Sequence, residues 1–208
     1  MEREGSKDAA HDLDHLERTM ALADTIQVHE GGDLTVIWAA VALHDIGQAR
    51  ELRYGGDHAL ISADMARELL EGTQFPQSSI PAVQQAIREH RMTGGVVPQT
   101  LEGRILFDAD KLDSLGAIGI GRLYMITGRY NQKVYSPVPA EVVEPVDPAH
   151  VRQLRRRSDY SPSIEFQLLF GNLPDRMTTA TGRELAHERF AFMEEFFRRL
   201  KLEVKGEL

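Results

Sequence analysis

"AAVALHDIGQAR", residues 39–50, ends an apolar run on a histidine and an aspartate side by side, His44 and Asp45. The run before them, "TVIWAAVAL", shows no strand alternation and is apolar on most sides, which predicts a buried helix from Leu34 to about Asp45 with Asp33 as its N-cap. His44 stands four residues after Ala40 and seven after Ile37, on the buried stripe, and Asp45 follows about 100° further round. At a helix end the backbone lets both side chains turn to one point. A carboxylate buried there alone faces a desolvation cost of several kcal/mol, and a helix C-terminus welcomes His⁺ but not Asp⁻. A bound metal accounts for both residues. Gly47 reads as the glycine that ends the helix just past them.

Helical signals continue on either side. Leu13, Leu16, Met20 and Ala23, with Leu22 and Ile26, repeat at helical spacing until "EGGD" at 30–33 stops them. "GQARELRYGGD" reads as a loop, followed by an amphipathic helix from about Ala59 to Glu71, the turn "GTQFPQSS" and a helix from about Ile80 to His90. After the loop "RMTGGVVPQT", the stretch "LEGRILFDADKLDSLGAIGIGRLYMITGR" reads as one long helical region. Residues 130–162 hold five prolines and little periodicity, an irregular excursion or lid. Helical period returns in "TGRELAHERFAFMEEFFRRLKLEV", with Thr181 as its cap. No internal repeat and no βαβ alternation is present, so the expected fold is all-α: a single domain over 1–208, a helical bundle with a proline-rich excursion before the C-terminal helices. "GAIGIGR" at 116–122 is not a dinucleotide fingerprint, because the glycine spacing is inverted and no strand precedes it; close helix packing explains it.

Composition narrows the chemistry. The 208 residues are 42% hydrophobic and 27% charged with a formal net charge of -8, which argues against general nucleic-acid binding. Without cysteine, disulfides, thiolate nucleophiles and cysteine-ligated metals are excluded, so any metal sits on nitrogen and oxygen. No segment approaches the roughly 20 apolar residues of a membrane span and "MEREGSKDAAHDLDHLERT" has no apolar signal core, so no membrane partner and a cytoplasmic location are expected.

Two further residues join the pair. His15 lies in line with Leu22 and Ile26, facing the core. In "ILFDADKLDSLG", Asp110 is four residues after Leu106 and seven before Ala117, whereas Asp108 and Asp113 lie about 200° and about 300° away, which makes Asp110 the inward one. His15, His44, Asp45 and Asp110 supply two imidazoles and two carboxylates, leaving room for waters in a six-coordinate shell; Mn²⁺, Fe²⁺, Co²⁺, Ni²⁺ or Mg²⁺ suit that set.

These motifs, "HDLDHLERTMALA", "ALHDIG" and "FDADKLDSLGAIGIGR", resemble those of the HD-domain metal-dependent phosphohydrolases, in their small bacterial single-domain branch. The likeness extends through "DHALISADMARELLEG", "AIREHR" and "PDRMTTATGRELAHERFAFMEEFF". It implies an all-α fold, the four residues above as metal ligands, and hydrolysis of a phosphate ester, often of a nucleotide, by a metal-activated water, with a small phosphorylated substrate as partner. His58 and His90 stand in order where two-metal members carry further histidines, and imply a second metal; helix-capping roles are the alternative for each. Asp45 is the ligand able to bridge two metals. Arg18, one turn after His15, and Lys111, beside Asp110, are candidates to hold substrate oxygens, against solvated roles such as pairing of Arg18 with Asp14.

His11 stays outside the metal set, and His29, His150 and His187 read as surface. Arg152, Arg155, Arg156 and Arg157 read as a solvated or lid-borne patch. Ser163 and Gln167 stand where relatives often show a histidine and a lysine, a departure from the family pattern. Two rival readings remain beside the hydrolase: a di-iron oxygenase of the same superfamily, and a non-catalytic regulatory module that keeps the metal as structure.

Overall fold

Asp33 caps the apolar helix as its sequence requires, its carboxylate accepting from the backbone N–H groups of Thr35 at 2.8 Å and Val36 at 3.4 Å. The computed structural model describes residues 13–92, 96–137, 154–155 and 157–208. Among these residues no strand occurs, and the protein is all-α. The helices are α1 Leu13–Glu30, α2 Leu34–Leu43, α3 Gln48–Tyr54, α4 His58–Leu70, α5 Ile80–Glu89, α6 Leu101–Leu112, α7 Gly116–Arg129, α8 Pro162–Glu165 and α9 Ala180–Lys205. Single 3-10 turns lie at Gln77–Ser79 and Pro174–Arg176, and α8 widens into a π-helical turn at Phe166–Phe170. No helix among the described residues is long and apolar enough to cross a membrane. Most of the proline-rich excursion, including His150, Arg152 and Arg156, lies outside the described residues, as does His11.

The chain divides into two compact units, Met1–Lys111 with Thr178–Gly182, and Leu112–Met177 with Arg183–Leu208. In the first, α5 packs along α4 and α2, and α2 along α1. Ile26, Ile37, Val41, Val83, Ile87 and Leu106 are buried there, each contributing about 1.5–3 kcal/mol by leaving water. In the second, the ring of Phe166 stacks on Phe190 and Phe197, with centroids 5.2 and 4.6 Å away. Arg155 is not a solvated patch residue: its guanidinium pairs with buried Glu165, which also accepts from the Tyr160 hydroxyl at 2.9 Å. Arg157 is exposed and pairs with Asp159 at 2.8 Å.

Five expectations change. The segment "GQARELRYGGD" is not a loop but contains α3; Ala49, Arg50, Glu51 and Leu52 are good helix formers, yet α3 buries no residue and so shows no apolar period. The long region from Leu101 is two helices, broken where Leu115 is extended and Gly116 adopts φ +71°, a conformation glycine takes without steric cost. α2 is buried on one stripe only, since Trp38 is half-exposed and its indole donates to Asp24 at 2.7 Å. The last helix starts at Ala180, and its cap is Thr179, whose hydroxyl accepts from the Gly182 N–H at 2.9 Å, rather than Thr181. Gly47 has an ordinary right-handed helical conformation; its use is close approach, because a Cβ there would lie 2.8 Å from the His58 carbonyl and the Ser62 amide.

Candidate metal centre

The helix ends of the first unit converge on two carboxylates. His15 comes from α1, His44 is the C-cap of α2, Asp45 follows in the turn, His58 opens α4, His90 is the C-cap of α5 and Asp110 lies in the last turn of α6. Asp110 Oδ1 lies 3.6 Å from His15 Nε2 and 4.0 Å from His44 Nε2. The two oxygens of Asp45 face different partners: Oδ2 is 3.5 Å from His44 Nε2, while Oδ1 is 3.6 Å from His58 Nε2 and 3.7 Å from His90 Nε2.

These separations exceed hydrogen-bond length, with its usual limit of about 3.2 Å. They suit donors around a shared cation, since metal–ligand bonds of about 2.0–2.2 Å leave neighbouring and opposite ligand atoms about 3–4 Å apart. In two overlapping groups, His15 with His44 and Asp110, and His44 with Asp45 and His90, the ligand atoms all lie within 4.8 Å of one another. His44 is 2% exposed, and its Nε2 has no hydrogen-bond partner among the described residues; leaving a buried polar atom so costs about 1–3 kcal/mol. The residues therefore fit a divalent metal.

The rings are held from behind. His44 Nδ1 lies 2.8 Å from the Val41 carbonyl and His90 Nδ1 2.6 Å from the Ile87 carbonyl, so each Nδ1–H donates and leaves Nε2 as the free ligand nitrogen. His15 Nδ1 meets the Thr19 hydroxyl at 3.4 Å, and His58 Nδ1 meets Glu51 Oε2 at 2.9 Å. His90 thus uses a terminal carbonyl and faces Asp45 at once, and His58 turns its ring to Asp45 while its neighbour Asp57 does the capping.

Burial pushes Asp110 up, but the Lys111 ammonium beside it, followed by His44, His90 and His15, outweighs that and holds its carboxyl well below the usual range. Asp45 shows the same balance, with burial opposed by the facing His90 and His44 rings and the result below the usual range. Burial pushes His90 down, which favours the neutral form that a ligand requires.

Asp110 is not the one inward aspartate of α6. Asp108 and Asp113 are buried more completely than Asp110, at 0% and 1% exposure, because Ile105, Leu106, Phe107, Ala109 and Leu112 are buried too and α6 has no single inner face. Asp108 accepts four bonds, from the amides and hydroxyls of Thr178 and Thr179 at 2.6–3.0 Å. Burial still leaves its carboxyl above the ordinary value against those donors. Asp113 pairs with Arg122.

Lys111 donates to Asp110 Oδ2 and stands 5.7 Å over the Phe107 ring. Arg18 is half-buried on α1, one turn from His15. His29 and His187 are exposed, as expected. Ser163 is buried, its hydroxyl donating to the Ser136 carbonyl at 2.7 Å, and Gln167 is exposed. Sequence reading missed Gln48, whose amide donates to Asp45 Oδ2 at 2.6 Å, and Glu51 with its partner Arg91, which also pairs with Asp57. Gln48 and Glu51 lie on α3, where no pattern marks them; Arg91 follows directly after His90 and was open to notice.

A helical frame with histidines and aspartates at its helix ends defines an all-α domain with groups that could hold a metal, and comparison with known proteins gives its family. The HD domain family model matches residues 12–115, and the chain belongs to that family. It is 26% identical over 201 residues to YpgQ of Bacillus subtilis (strain 168), covering 95% of this chain and 86% of that one. The structure of YpgQ in complex with ADP matches with 28% identity, 93% and 86% coverage and a TM-score of 0.68. A predicted HD superfamily hydrolase from an uncultured Thermotogales bacterium matches with 30% identity, 96% and 85% coverage and a TM-score of 0.65. An HD-superfamily hydrolase from Bacillus thuringiensis matches with 25% identity, 94% and 87% coverage and a TM-score of 0.69.

Proposed function

We propose that this protein is a metal-dependent phosphohydrolase acting on a nucleotide or another small phosphorylated metabolite. The observation that carries the reading is the convergence of four imidazole Nε2 atoms on Asp45 and Asp110 at 3.5–4.0 Å. His15, His44, Asp45 and Asp110 would hold one divalent metal, and Asp45, His58 and His90 would hold a second. A divalent metal at this place supplies a water acidic enough to be hydroxide near neutrality and draws charge from a phosphoryl oxygen.

The chain's own residues supply the rest. The backbone carbonyls of Val41 and Ile87 keep two of the rings oriented, and the buried walls of α2 and α5 keep bulk water off them. Lys111, tethered to Asp110, offers a cation to phosphate oxygens, and Arg18 a second one. The ADP in YpgQ supports a small phosphorylated ligand, and the hydrolase names of the other two relatives support hydrolysis. The six-residue set also suits a di-iron oxygenase, and metal content separates the two.

The test supplies Mn²⁺, Mg²⁺, Co²⁺ and Ni²⁺ in turn to metal-stripped protein with a panel of nucleotides and sugar phosphates. Phosphate release is expected with at least one metal and none from Asp45→Ala. Full activity of Asp45→Ala, or two irons with oxygen-dependent turnover after anaerobic purification, overturns the reading.

A further inference from the structure

Of the four histidines, three brace Nδ1 on their own helix: His44 and His90 on carbonyls three residues back, His15 on the Thr19 hydroxyl one turn on. His58 differs. Its Nδ1 rests on a charged side chain from another helix, Glu51 Oε2 at 2.9 Å. The other oxygen of Glu51 accepts from the His58 backbone N–H at 3.3 Å and from Arg91 at 3.4 Å. Arg91 pairs in turn with Asp57 at 2.9 Å, and Asp57 caps α4 by accepting from the Ala59 N–H, also at 2.9 Å. Glu51 is thus clamped at both oxygens and reaches His58 through its ring and its backbone.

We infer that Glu51 is a positioning residue that sets the affinity of the His58 and His90 metal position, independently of the position held by His15, His44 and Asp110. A carboxylate behind an imidazole fixes the proton on Nδ1, aims Nε2 and raises its basicity as a ligand. Glu51 places its carboxylate directly behind the His58 ring, and Arg91 keeps it from swinging away. The inference rests on the two-position reading above.

The test titrates Co²⁺ into the metal-stripped full chain, following bound metal by equilibrium dialysis and its visible absorption. Wild type is expected to take two ions and His58→Ala one. Glu51→Ala weakens the second ion about ten- to a hundredfold and leaves the first unchanged. Glu51→Gln keeps an acceptor oxygen for Nδ1–H and recovers most of the loss. Glu51 is on a helix that buries no residue, so these variants are expected to keep their melting temperature; should Glu51→Ala not fold, Glu51→Asp, which draws the carboxylate back by one methylene, is expected to give the same weakening. One ion in wild type, with His58→Ala indistinguishable from it, overturns the two-position reading and the inference with it. Two ions in wild type and one in His58→Ala, with the second ion unchanged in Glu51→Ala or Glu51→Asp, overturns the inference alone. Equal weakening of both ions in Glu51→Ala also overturns it.

Discussion

Asp108 and Asp110 sit two residues apart on α6, both turned away from solvent, and have opposite surroundings. Asp108 accepts four bonds from Thr178 and Thr179 and has nothing left to offer. Asp110 has one close partner, Lys111, on one oxygen, and presents the other to two histidine nitrogens at 3.6 and 4.0 Å. A buried carboxylate must be compensated. Asp108 makes its bonds within the protein, and they tie the segment before α9 to α6. Asp110 instead turns Oδ1 to two histidine nitrogens that stand beyond hydrogen-bond length, which is where the proposed metal would sit. Burial alone therefore does not separate a structural carboxylate from a ligand; the distance at which its partners stand does.

The largest effect is expected on the Asp110 side. Asp110→Asn, which keeps shape but not charge, should lose metal-dependent phosphate release by about a thousandfold or more, equivalent to about 4 kcal/mol of barrier, while the metal-free protein melts within a few degrees of wild type. Asp108→Asn should do the reverse. Its amide nitrogen must face a backbone N–H of Thr178 or Thr179, donor against donor, and thermal or urea unfolding should show a loss of about 3 kcal/mol, with Co²⁺ uptake by the folded protein unchanged. A stable Asp108→Asn that fails to take up metal would erase the distinction between the two.

The comparison also explains what was legible in the sequence. Helical period shows which positions of a helix point inward, and His15, His44 and Asp110 were read that way; Asp45 was read from its place beside His44 at a helix end, and the family pattern added His58 and His90. All six converge. Period says nothing of a helix that buries no residue, so α3 passed for a loop and Gln48 and Glu51 with it. It also assumes one inner face. On α6 that assumption fails, so Asp108 and Asp113 were set aside although both are buried. Gly47 was noticed for the wrong reason, because the approach of the His58 carbonyl and the Ser62 amide is a contact with groups eleven and fifteen residues along the chain, which local sequence does not encode.

A smaller effect sharpens the Asp108 side. Gly182 lies so close to that carboxylate that a Cβ would stand 2.3 Å from Oδ2 and 2.7 Å from the Thr179 hydroxyl. Gly182→Ala is an otherwise favourable helix substitution, but here it should cost about 2 kcal/mol by overpacking. A rise in melting temperature would show that Asp108 can yield, and that its four bonds hold less tightly than their geometry implies.

The smallest effect belongs to a third carboxylate, Asp57, which remains 43% exposed on its side chain while it caps α4 and pairs with Arg91. Burial pushes Asp57 up, the bonds from Arg91 and the Ala59 amide together with the charges of Arg91 and His58 outweigh it, and its carboxyl lies below the ordinary value. A depressed folded pKa means the unfolded chain binds the proton more readily. The stabilisation is then complete above the unfolded carboxylate pKa of about 4 and disappears as pH falls through the folded value. Asp57→Ala should therefore cost about 1 kcal/mol at neutral pH, the usual worth of a cap, and the gap from wild type in urea unfolding should narrow as pH drops below about 4. Water already compensates this charge, so its protein partners add only an increment. A gap that stays constant into acid would mean that Asp57 acts through packing rather than charge, and would leave Arg91 held by Glu51 alone.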